Sequence, residues 1–405
     1  MKIAFFSDNF YPELSGIADS IMASGSELAS RGHEIHFFVP YYPKRSYALT
    51  GALKNVSVPP NVHVHRLVSL PFKAPTLQGR MVIPDVLLPF LHQDFDIIHS
   101  HSFFGAGIDA LCFAGLKGVP FIGTNHTLIE SFVQYSPIRS GTMSKTIKKA
   151  LKGYLSWYYN KCAHVTAPSG FLIKDMQASG FKAAASVISN PIEDMFFRAY
   201  GKDKNKMKHE LGLGDLSLLY IGRLSEEKNV SILLEAFITF AKDNPNSSLT
   251  LIGQGALRTK LEETARESGI ESRIKIVGPF VGDKKNRLCD YIQASDIFVM
   301  PSTSETQSMC VLQAMAGGLP IIAARAAALP EIVTSERGLL FEPESKEGLI
   351  ETLNKLAADA SLRTELGEKG RMYATSFSAT AIADAWESLY TSVINNRHGA
   401  GKKQS

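Results

Sequence analysis

The segment at positions 301–320, PSTSETQSMCVLQAMAGGLP, brings together an acidic side chain, main-chain amides and a side-chain amide. Glu305 follows a predicted strand. The residues from Ser308 to Val311 begin a predicted helix, whose first N–H groups have no acceptor within the helix. Gln313 lies about one and a half turns further on. A carboxylate, a set of N–H donors and an amide in this order predict a site for one small polar ligand.

Two cations follow another predicted strand, in the sequence IGRLSEEKN at positions 221–229. Arg223 and Lys228 stand before a predicted helix, where their charges and the helix dipole favour a diphosphate group. The segment lacks the Gly-x4-Gly-Lys-Ser/Thr pattern of a P-loop, which disfavours nucleotide hydrolysis of that type. The alternative is that the two cations form surface salt bridges with Glu226 or Glu227.

In the first half of the chain, a glycine and a histidine follow predicted strands. Gly16 precedes a predicted helix, and a glycine at that point lets main-chain N–H groups approach an anion. His126 lies just past a strand end, where its imidazole can hydrogen-bond a sugar hydroxyl or stabilise developing charge. For both residues the alternative is an ordinary loop position without a chemical role.

Two further patterns support function only weakly. His99 and His101 alternate along one strand and point to the same side, as a metal-binding pair would. The sequence offers no evident third ligand nearby, and buried structural histidines are more common, so we expect no metal site. Gly253-x-Gly255 resembles half of a dinucleotide fingerprint, but the third glycine is missing, which disfavours a nicotinamide-dependent dehydrogenase.

Short apolar runs alternate with helical patterns over almost the whole chain. Strands without polar alternation are typical of parallel sheets buried on both faces. We predict an α/β protein of two Rossmann-like domains that face a central cleft. Ligands bind at the carboxyl ends of parallel strands, so we expect the loops that follow the strands to carry the site. The predicted domains are 1–197 and 198–378, and 379–405 is predicted as a helix that packs back on the first domain, with a frayed tail.

The composition limits the class of protein. The 405 residues are 45% hydrophobic and 20% charged, with a net charge of +4, which is ordinary for a globular protein and too weakly basic for a nucleic-acid-binding chain. No apolar run reaches the roughly 18–20 residues that span a bilayer. The four cysteines are far apart and form no C-x-x-C pair, so a reducing cytoplasm fits.

Positive charge is concentrated between positions 131 and 174, where seven basic residues occur without an acidic one. Four lysines fall on one face of a predicted helix: Lys145, Lys148, Lys149 and Lys152. A basic amphipathic helix is typical of proteins that bind an anionic membrane surface. The alternative is a solvated lysine face on a helix whose other side packs inward.

Taken together, these motifs resemble those of the family-four retaining glycosyltransferases with the two-domain GT-B fold, over nearly the whole chain. The resemblance implies that Glu305 binds hydroxyls of the donor sugar and that His126 contacts the transferred sugar near the reaction centre. It implies that Arg223 and Lys228 neutralise the diphosphate leaving group. Further donor contacts are implied for Gly16, Val281, Ser308, Met309, Cys310, Val311 and Gln313.

The chain departs from the family pattern at three places. In the signature Glu-x7-Glu, the second glutamate is replaced by Gln313, which can still accept a hydrogen bond from ribose but lacks the charge, a loss of roughly 1–2 kcal/mol. Ser308 replaces a usual glycine, and Asn190-Pro191 replaces the usual Asn-Gly. We expect weaker donor binding with the chemistry retained.

The resemblance implies transfer of a hexose, glucose or mannose, from a UDP- or GDP-sugar, without a metal or other cofactor. Glu305-Thr-Gln, His126-Thr-x-x-Glu130 and the region of Tyr135 resemble members that glycosylate diacylglycerol, which favours a membrane lipid as acceptor. Such a protein is expected in the cytoplasm, peripheral on the inner face of the cell membrane, and without a nucleic-acid partner. The alternatives are a soluble sugar or polysaccharide acceptor, or a homologue with weakened donor binding and an interaction role.

Overall fold

The computed structural model describes residues 1–13, 15–50, 59–71, 79–85, 91–128, 142–198, 203–280 and 284–401. The chain forms two compact units. Unit 1 contains Met1–Pro191 together with the segment from Ala379 onward, and unit 2 contains Ile192–Ser378. The first change of unit lies a few residues before the predicted boundary at 197/198, and the second lies at the predicted position between 378 and 379.

The two ends of unit 2 lie side by side. The amide of the fully buried Ile192 donates to Phe377 O at 2.7 Å, and Ile192 forms an isolated parallel bridge with Ser378. Since the entry and exit segments are paired in this way, the chain leaves unit 2 close to where it entered. The last helix therefore belongs to unit 1.

Unit 1 is built on a seven-stranded parallel sheet in the order β3-β2-β1-β6-β7-β8-β9. Its strands are β1 (Lys2–Phe6), β2 (Glu34–Pro40), β3 (Val62–Leu67), β6 (Ile97–Ser100), β7 (Phe121–Thr124), β8 (His164–Ala167) and β9 (Ala185–Val187). A separate antiparallel pair consists of β4 (Ser69–Pro71) and β5 (Arg80–Val82). Strands β6 and β7 are buried at every residue, as expected for a parallel sheet covered by helices on both faces.

Unit 2 contains a six-stranded parallel sheet in the order β12-β11-β10-β13-β14-β15. Its strands are β10 (Leu216–Ile221), β11 (Ser247–Ile252), β12 (Ile274–Val277), β13 (Ile297–Met300), β14 (Ile321–Ala324) and β15 (Gly338–Phe341). In both sheets the strand order reverses beside the first strand, between β1 and β6 and between β10 and β13. This reversal is the Rossmann switch point, beside which α/β proteins bind their ligands.

Helices connect the strands of both sheets. In unit 1 they are α1 (Gly16–Ser30), α2 (Lys44–Thr50), α3 (Gly105–Lys117), α4 (Thr142–Tyr159) and α5 (Gly170–Ala178). In unit 2 they are α6 (Lys204–Leu211), α7 (Val230–Asp243), α8 (Arg258–Glu267), α9 (Asn286–Ala294), α10 (Met309–Ala316), α11 (Leu329–Ile332), α12 (Lys346–Ala358) and α13 (Ala360–Ala374). The prediction of two α/β domains with parallel sheets is confirmed.

The C-terminal helix α14 (Ala379–Gly401) is held on unit 1 by charged and buried contacts. Arg31 Nη1 at the end of α1 contacts Asp384 Oδ1 at 2.6 Å and Glu387 Oε2 at 2.9 Å. Deeper in the unit, the hydroxyl of the fully buried Tyr390 lies 2.8 Å from His99 Nδ1. One helix thus covers the side of unit 1 that contains β6.

Candidate active site

In unit 2, a buried ion pair joins the loops that follow β10 and β13. Lys228 Nζ lies 2.5 Å from Glu305 Oε1, and each side chain is only about a tenth exposed, 11% and 12%. An ammonium and a carboxylate that are removed from water must be paired, because the desolvation cost of either charge alone is several kcal/mol. The structure therefore brings together Lys228 and Glu305, two of the three charged residues that the sequence predicts for donor binding in these loops.

Hydrogen bonds to main-chain carbonyls fix the two loops against each other. The amide of Thr303 donates to Glu227 O at 3.2 Å, and Asn229 Nδ2 donates to Pro301 O at 3.1 Å. Asn229 adopts the left-handed conformation (φ 51°), which lets α7 begin directly after the turn that carries Lys228. On the other side, Ala328 N donates to Glu305 O at 3.1 Å. The ion pair is thus positioned by the backbone on both sides.

Arg223 lies in the same loop as Lys228 but has a different ionic partner. Its Nη1 contacts Glu227 Oε1 at 3.0 Å, and its side chain is 41% exposed. Its carbonyl accepts a hydrogen bond from the Tyr220 hydroxyl at 2.8 Å. Burial raises the pKa of Tyr220 well above its usual value, and the Glu305 carboxylate raises it further. Arg223 thus forms the salt bridge to Glu227 that the sequence also allowed, its diphosphate contact stays a prediction, and Lys228 pairs with Glu305 of the loop after the neighbouring strand β13.

The N-terminus of α10 completes this end of unit 2. Ser308 is the N-cap residue, and the amide of Leu312 donates to Ser308 O at 3.1 Å. The amides of Met309, Cys310 and Val311 thus belong to the first helical turn, as the sequence predicts for N–H donors at this position.

Two other predicted donor contacts have different outcomes. Gln313 lies in the second turn of α10 and is 8% exposed, so most of its surface is covered by unit 2. Val281 lies outside the described residues.

Two glycines after β11 let that loop touch the loop of Arg223. A Cβ atom on Gly253 would lie 1.9 Å from Gly222 O, and one on Gly255 would lie 2.2 Å from Leu224 O. Leu224 N donates to Gln254 O at 3.0 Å. The Gly-x-Gly pattern is therefore explained by close packing of two loops, without dinucleotide binding.

We expect Gly253→Ala to destabilise the protein by about 3 kcal/mol or more, because the backbone of Gly222 must move to admit the methyl group. Urea unfolding would measure the change. Gly115→Ala is the matched control, since a Cβ at Gly115 in α3 meets no atom within 4 Å, and helix propensity favours alanine by roughly 0.5–1 kcal/mol. Equal effects of the two substitutions would contradict this account of the loop.

In unit 1, the loop after β1 presents an exposed helix N-terminus. Gly16 is the first residue of α1 and is exposed, and the side chain of the N-cap Ser15 accepts a hydrogen bond from Ala18 N at 3.1 Å. Such a terminus carries main-chain N–H groups and a partial positive charge that favour an anion. The position agrees with the sequence prediction of a glycine at a helix entrance.

Asp8, which sequence reasoning missed, ties this loop to strand β5 and to the first turn of α3. Its Oδ1 accepts hydrogen bonds from Val82 N at 2.8 Å and Ala106 N at 3.1 Å, and its own amide donates to Ser102 Oγ at 2.7 Å. Burial raises the pKa of the Asp8 carboxyl to about 6. The available signal was an acidic residue directly after a buried strand, a position where a carboxylate commonly accepts main-chain hydrogen bonds.

His126 is paired with a second histidine at the carboxyl end of the unit 1 sheet. His126 Nε2 lies 2.9 Å from His101 Nδ1, and the two rings stack with centroids 5.3 Å apart. Burial lowers the pKa of His126 to about 4 and the pKa of His101 well below its usual value. Among the described residues, the buried His101 Nε2 has no hydrogen-bond partner. At neutral pH both imidazoles are therefore uncharged, and each offers a donor and an acceptor nitrogen.

His99 has a structural role in the same sheet. Its Nδ1 lies 2.8 Å from the Tyr390 hydroxyl, and its Nε2 lies 2.6 Å from Thr124 Oγ1. Both ring nitrogens are thus engaged, so a metal pair with His101 would require breaking this network. Among the described residues, the one group with three closely spaced metal-ligating side chains lies at the opposite end of the sheet.

The low pKa of His126 makes a prediction about stability. The unfolded histidine takes up a proton near its ordinary pKa of 6.5, whereas the folded one does so near 4. Folding stability is therefore lost as the pH falls from about 6.5 to about 4, because the unfolded chain binds more protons. His126→Gln should lose less stability than the wild type between pH 7 and pH 5, as measured by urea unfolding. His209→Gln, at an exposed position on α6, should leave the pH dependence unchanged; identical slopes for His126→Gln and wild type would refute the proposed burial effect.

Two family models match successive parts of the chain. The model described as Glycosyltransferase Family 4 matches residues 14–195, and the model described as Glycosyl transferases group 1 matches residues 201–373. The first covers most of the Met1–Pro191 part of unit 1 and ends a few residues into unit 2, and the second lies within unit 2. The chain belongs to the GT-B glycosyltransferases. The resemblance seen in the sequence motifs is thereby confirmed.

Known relatives of this glycosyltransferase use more than one kind of acceptor, to judge by their names. The chain is 29% identical to an alpha-monoglucosyldiacylglycerol synthase of Streptococcus pneumoniae over 80% of its own length and 71% of that protein. It is 23% identical to the enzyme of the same name from Acholeplasma laidlawii, over 98% of both chains. A D-inositol 3-phosphate glycosyltransferase of Corynebacterium glutamicum is 26% identical over 99% of both chains.

Solved structures share the fold. The Anabaena protein HepE, in complex with UDP, superposes with a TM-score of 0.75 at 18% identity, over 97% of this chain and all of HepE. Sucrose-phosphate synthase from Thermosynechococcus elongatus superposes with a TM-score of 0.76 at 20% identity, over 98% of this chain and 100% of that chain. At these identities the likeness establishes the GT-B fold of the glycosyltransferase and nothing finer.

Proposed function

We propose that this glycosyltransferase moves a hexose, glucose or mannose, from a nucleotide diphosphate sugar to a membrane lipid such as diacylglycerol or a glycolipid, with retention of the anomeric configuration. The donor half of the proposal rests on the buried Lys228–Glu305 pair. Lys228 lies in the same loop as Arg223, the second proposed cation. HepE has been solved with UDP and with UDP-glucose, which supports a nucleotide sugar as donor.

The chemistry proposed for the donor follows from these charges. Departure of a nucleoside diphosphate develops negative charge, which Arg223, Lys228 and the N-terminus of α10 are proposed to stabilise. When the donor binds, Lys228 exchanges its bond to Glu305 for a phosphate oxygen, and Glu305 then accepts hydrogen bonds from sugar hydroxyls. With two cations serving the diphosphate, we propose that the transfer needs no divalent metal.

His126 and Gly16 are proposed to serve the donor from unit 1. Because Nε2 of the neutral His126 faces His101, we propose that its Nδ1 makes a single hydrogen bond to a hydroxyl of the transferred sugar. Its low pKa supports this role, since an imidazolium would repel the positive charge that develops on the sugar. The exposed amides at Gly16 are proposed to approach the diphosphate.

The proposed lipid acceptor is supported by the relatives that act on diacylglycerol, by their names, and by the surface of α4. Lys145 and Lys149 are exposed on this helix. Lys148 and Lys152 are half-buried, and Lys152 Nζ lies 3.9 Å from Asp175 Oδ1. Two of the four predicted lysines are therefore exposed. Among the described residues, no helix is long and apolar enough to cross a bilayer.

A second surface of unit 1 is apolar and supports the same proposal. On the β4–β5 hairpin, Leu70 pairs with Met81, and Ile83 N donates to Val68 O at 2.9 Å. These four side chains alternate outward and are 57%, 38%, 42% and 72% exposed in the order Leu70, Met81, Ile83 and Val68. Four neighbouring exposed apolar side chains are typical of a docking surface rather than of scattered surface residues.

The hairpin and α4 approach the same part of unit 1. Val82 of the hairpin lies against Gly105 at the start of α3, where a Cβ would be 2.7 Å from Val82 O. The ring of Tyr154 on α4 stacks on Phe104, with centroids 5.2 Å apart. We propose that both surfaces contact an anionic bilayer, the lysines through lipid phosphates and the hairpin through the acyl boundary.

The donor proposal predicts that Glu305→Gln and Lys228→Met each lower kcat/KM by about 10- to 100-fold, since each removes a charged hydrogen bond worth about 1.5–3 kcal/mol. A screen of radiolabelled UDP- and GDP-hexoses would identify the donor, and the rate of product formation with that donor would give kcat/KM for each variant. Lys369→Met is the matched control, because Lys369 forms an exposed ion pair with Glu365 at 2.6 Å on α13. Thermal unfolding checks that each variant is folded, and wild-type turnover by a folded Glu305→Gln protein would overturn the assignment.

The acceptor proposal predicts separate effects of charge and apolar surface on liposome co-sedimentation. Lys145→Ser/Lys149→Ser should reduce binding to phosphatidylglycerol vesicles by about tenfold or more, because each lysine near an anionic leaflet contributes about 1 kcal/mol. Leu70→Ser/Met81→Ser should reduce binding to anionic and zwitterionic vesicles alike. Lys369→Ser and Met372→Ser, which change an exposed cation and an exposed apolar residue of unit 2, are the controls.

Equal binding of all four variants would contradict the lipid proposal and favour a soluble acceptor. That second candidate is supported by the D-inositol 3-phosphate glycosyltransferase among the relatives. Product analysis with a lipid extract and with soluble polyols decides between the two acceptors directly.

A further inference from the structure

Four ionisable side chains form a compact group at the amino end of the unit 1 sheet. Glu34 and His36 lie two residues apart on β2, and His63 and His65 lie two residues apart on β3. His36 is the register partner of His63, so the four side chains occupy one face of two adjacent strands. The group lies at the end of the strands opposite to His101 and His126, which follow the carboxyl ends of β6 and β7.

The distances match a small coordination sphere. His36 Nε2 lies 2.8 Å from Glu34 Oε1, His63 Nε2 lies 3.9 Å from the same oxygen, and the three ligand atoms all lie within 4.8 Å of one another. Ligands bound tetrahedrally to zinc at 2.0–2.1 Å are separated by about 3.3 Å. The observed separations bracket this value, so an ion would draw the exposed His63 side chain closer to Glu34 and widen the Glu34–His36 separation by about 0.5 Å.

His65 is placed to orient one of the three ligands. Its Nε2 lies 2.9 Å from His36 Nδ1, and the two rings are nearly parallel at 9°, with centroids 5.1 Å apart. If His36 binds an ion through Nε2, its Nδ1–H donates to His65 Nε2, which fixes the tautomer and the ring plane. A hydrogen-bonded partner of this kind accompanies nearly all metal-binding histidines. Phe95 packs edge-on against His36 and limits its rotation.

Lys2 is the cation that now occupies the position next to the carboxylate. Lys2 Nζ lies 3.1 Å from Glu34 Oε1, and its side chain is 32% exposed. An ammonium and a metal ion compete for the same oxygen. Because the Lys2 side chain reaches solvent, it can turn away without breaking other contacts of the sheet, apart from its position over the Phe95 ring at 5.5 Å.

We propose that Glu34, His36 and His63 bind a divalent transition-metal ion such as Zn²⁺, with water in the fourth position. Two imidazoles and a carboxylate suit zinc, copper or nickel, whereas magnesium and calcium favour oxygen ligands alone. The ion joins the edge strand β3 to β2 and stabilises unit 1. It has no part in sugar transfer, which is proposed for the opposite ends of the strands.

The test uses the full-length protein without a histidine tag, freed of metal by chelation. Isothermal titration with zinc sulfate should show one site, and zinc should raise the unfolding temperature. His63→Ala should weaken zinc binding by at least tenfold, since it removes one of three ligands. His209→Ala removes an exposed histidine of unit 2 and should leave binding unchanged.

Two further variants separate a metal site from a simple ion pair. Lys2→Met removes the competing ammonium and should tighten zinc binding several-fold. His65→Phe keeps the ring stack but removes the acceptor for His36, and should weaken binding by about 10- to 100-fold. Magnesium in place of zinc should give no heat and no shift of the unfolding temperature.

Failure of the wild type to bind zinc at a concentration of about 0.1 mM, which is about the dissociation constant of a weak exchangeable site, would overturn the proposal. Equal binding by wild type and His63→Ala would also overturn it, because the ion would then lie elsewhere. Transfer activity measured with and without chelator keeps this result apart from the proposed function, since either can fail while the other stands.

Discussion

A buried ammonium–carboxylate pair is the constraint on which the unit 2 site depends. Lys228 and Glu305 are each about nine-tenths covered and lie 2.5 Å apart. Removing two charges from water is costly unless the geometry of the pair is maintained. Hydrogen bonds to main-chain carbonyls hold the loops after β10 and β13 against each other, and Gly253 permits a close contact between the loops after β10 and β11. In the proposed function, the same cation and anion exchange partners when the donor binds.

At the carboxyl end of the unit 1 sheet, the paired side chains are neutral histidines rather than an ion pair. His101 and His126 are kept neutral by burial, and the neighbouring His99 is fixed by hydrogen bonds to Tyr390 and Thr124. A neutral imidazole pair can donate and accept hydrogen bonds without adding charge. This contrast between a charged pair in unit 2 and a neutral histidine pair in unit 1 agrees with the proposed donor, whose diphosphate needs cations and whose sugar needs hydrogen bonds.

Local sequence patterns predicted those strands in which every residue is buried. The central strands were predictable because each is a short apolar run, such as β13 with its four buried residues. β3 was missed because its sequence, VHVHRL, is mostly half-exposed, and the short hairpin strands β4 and β5 carry apolar residues on the solvent side. Gln313 was predicted from motif spacing to contact the donor; it is 8% exposed on α10, and its donor contact stays a prediction.

The sequence by itself determined the two parallel-sheet units and the loops that carry chemistry, because alternating apolar runs and helix-entry residues are local properties. Only the tertiary structure decided which side chains meet. Lys228 and Glu305 are 77 residues apart, His101 and His126 are 25 apart, and Ser20 meets Asn190 over 170. Such contacts depend on strand order and on the packing of one loop against another, and neither is encoded in the spacing of residues within a single element.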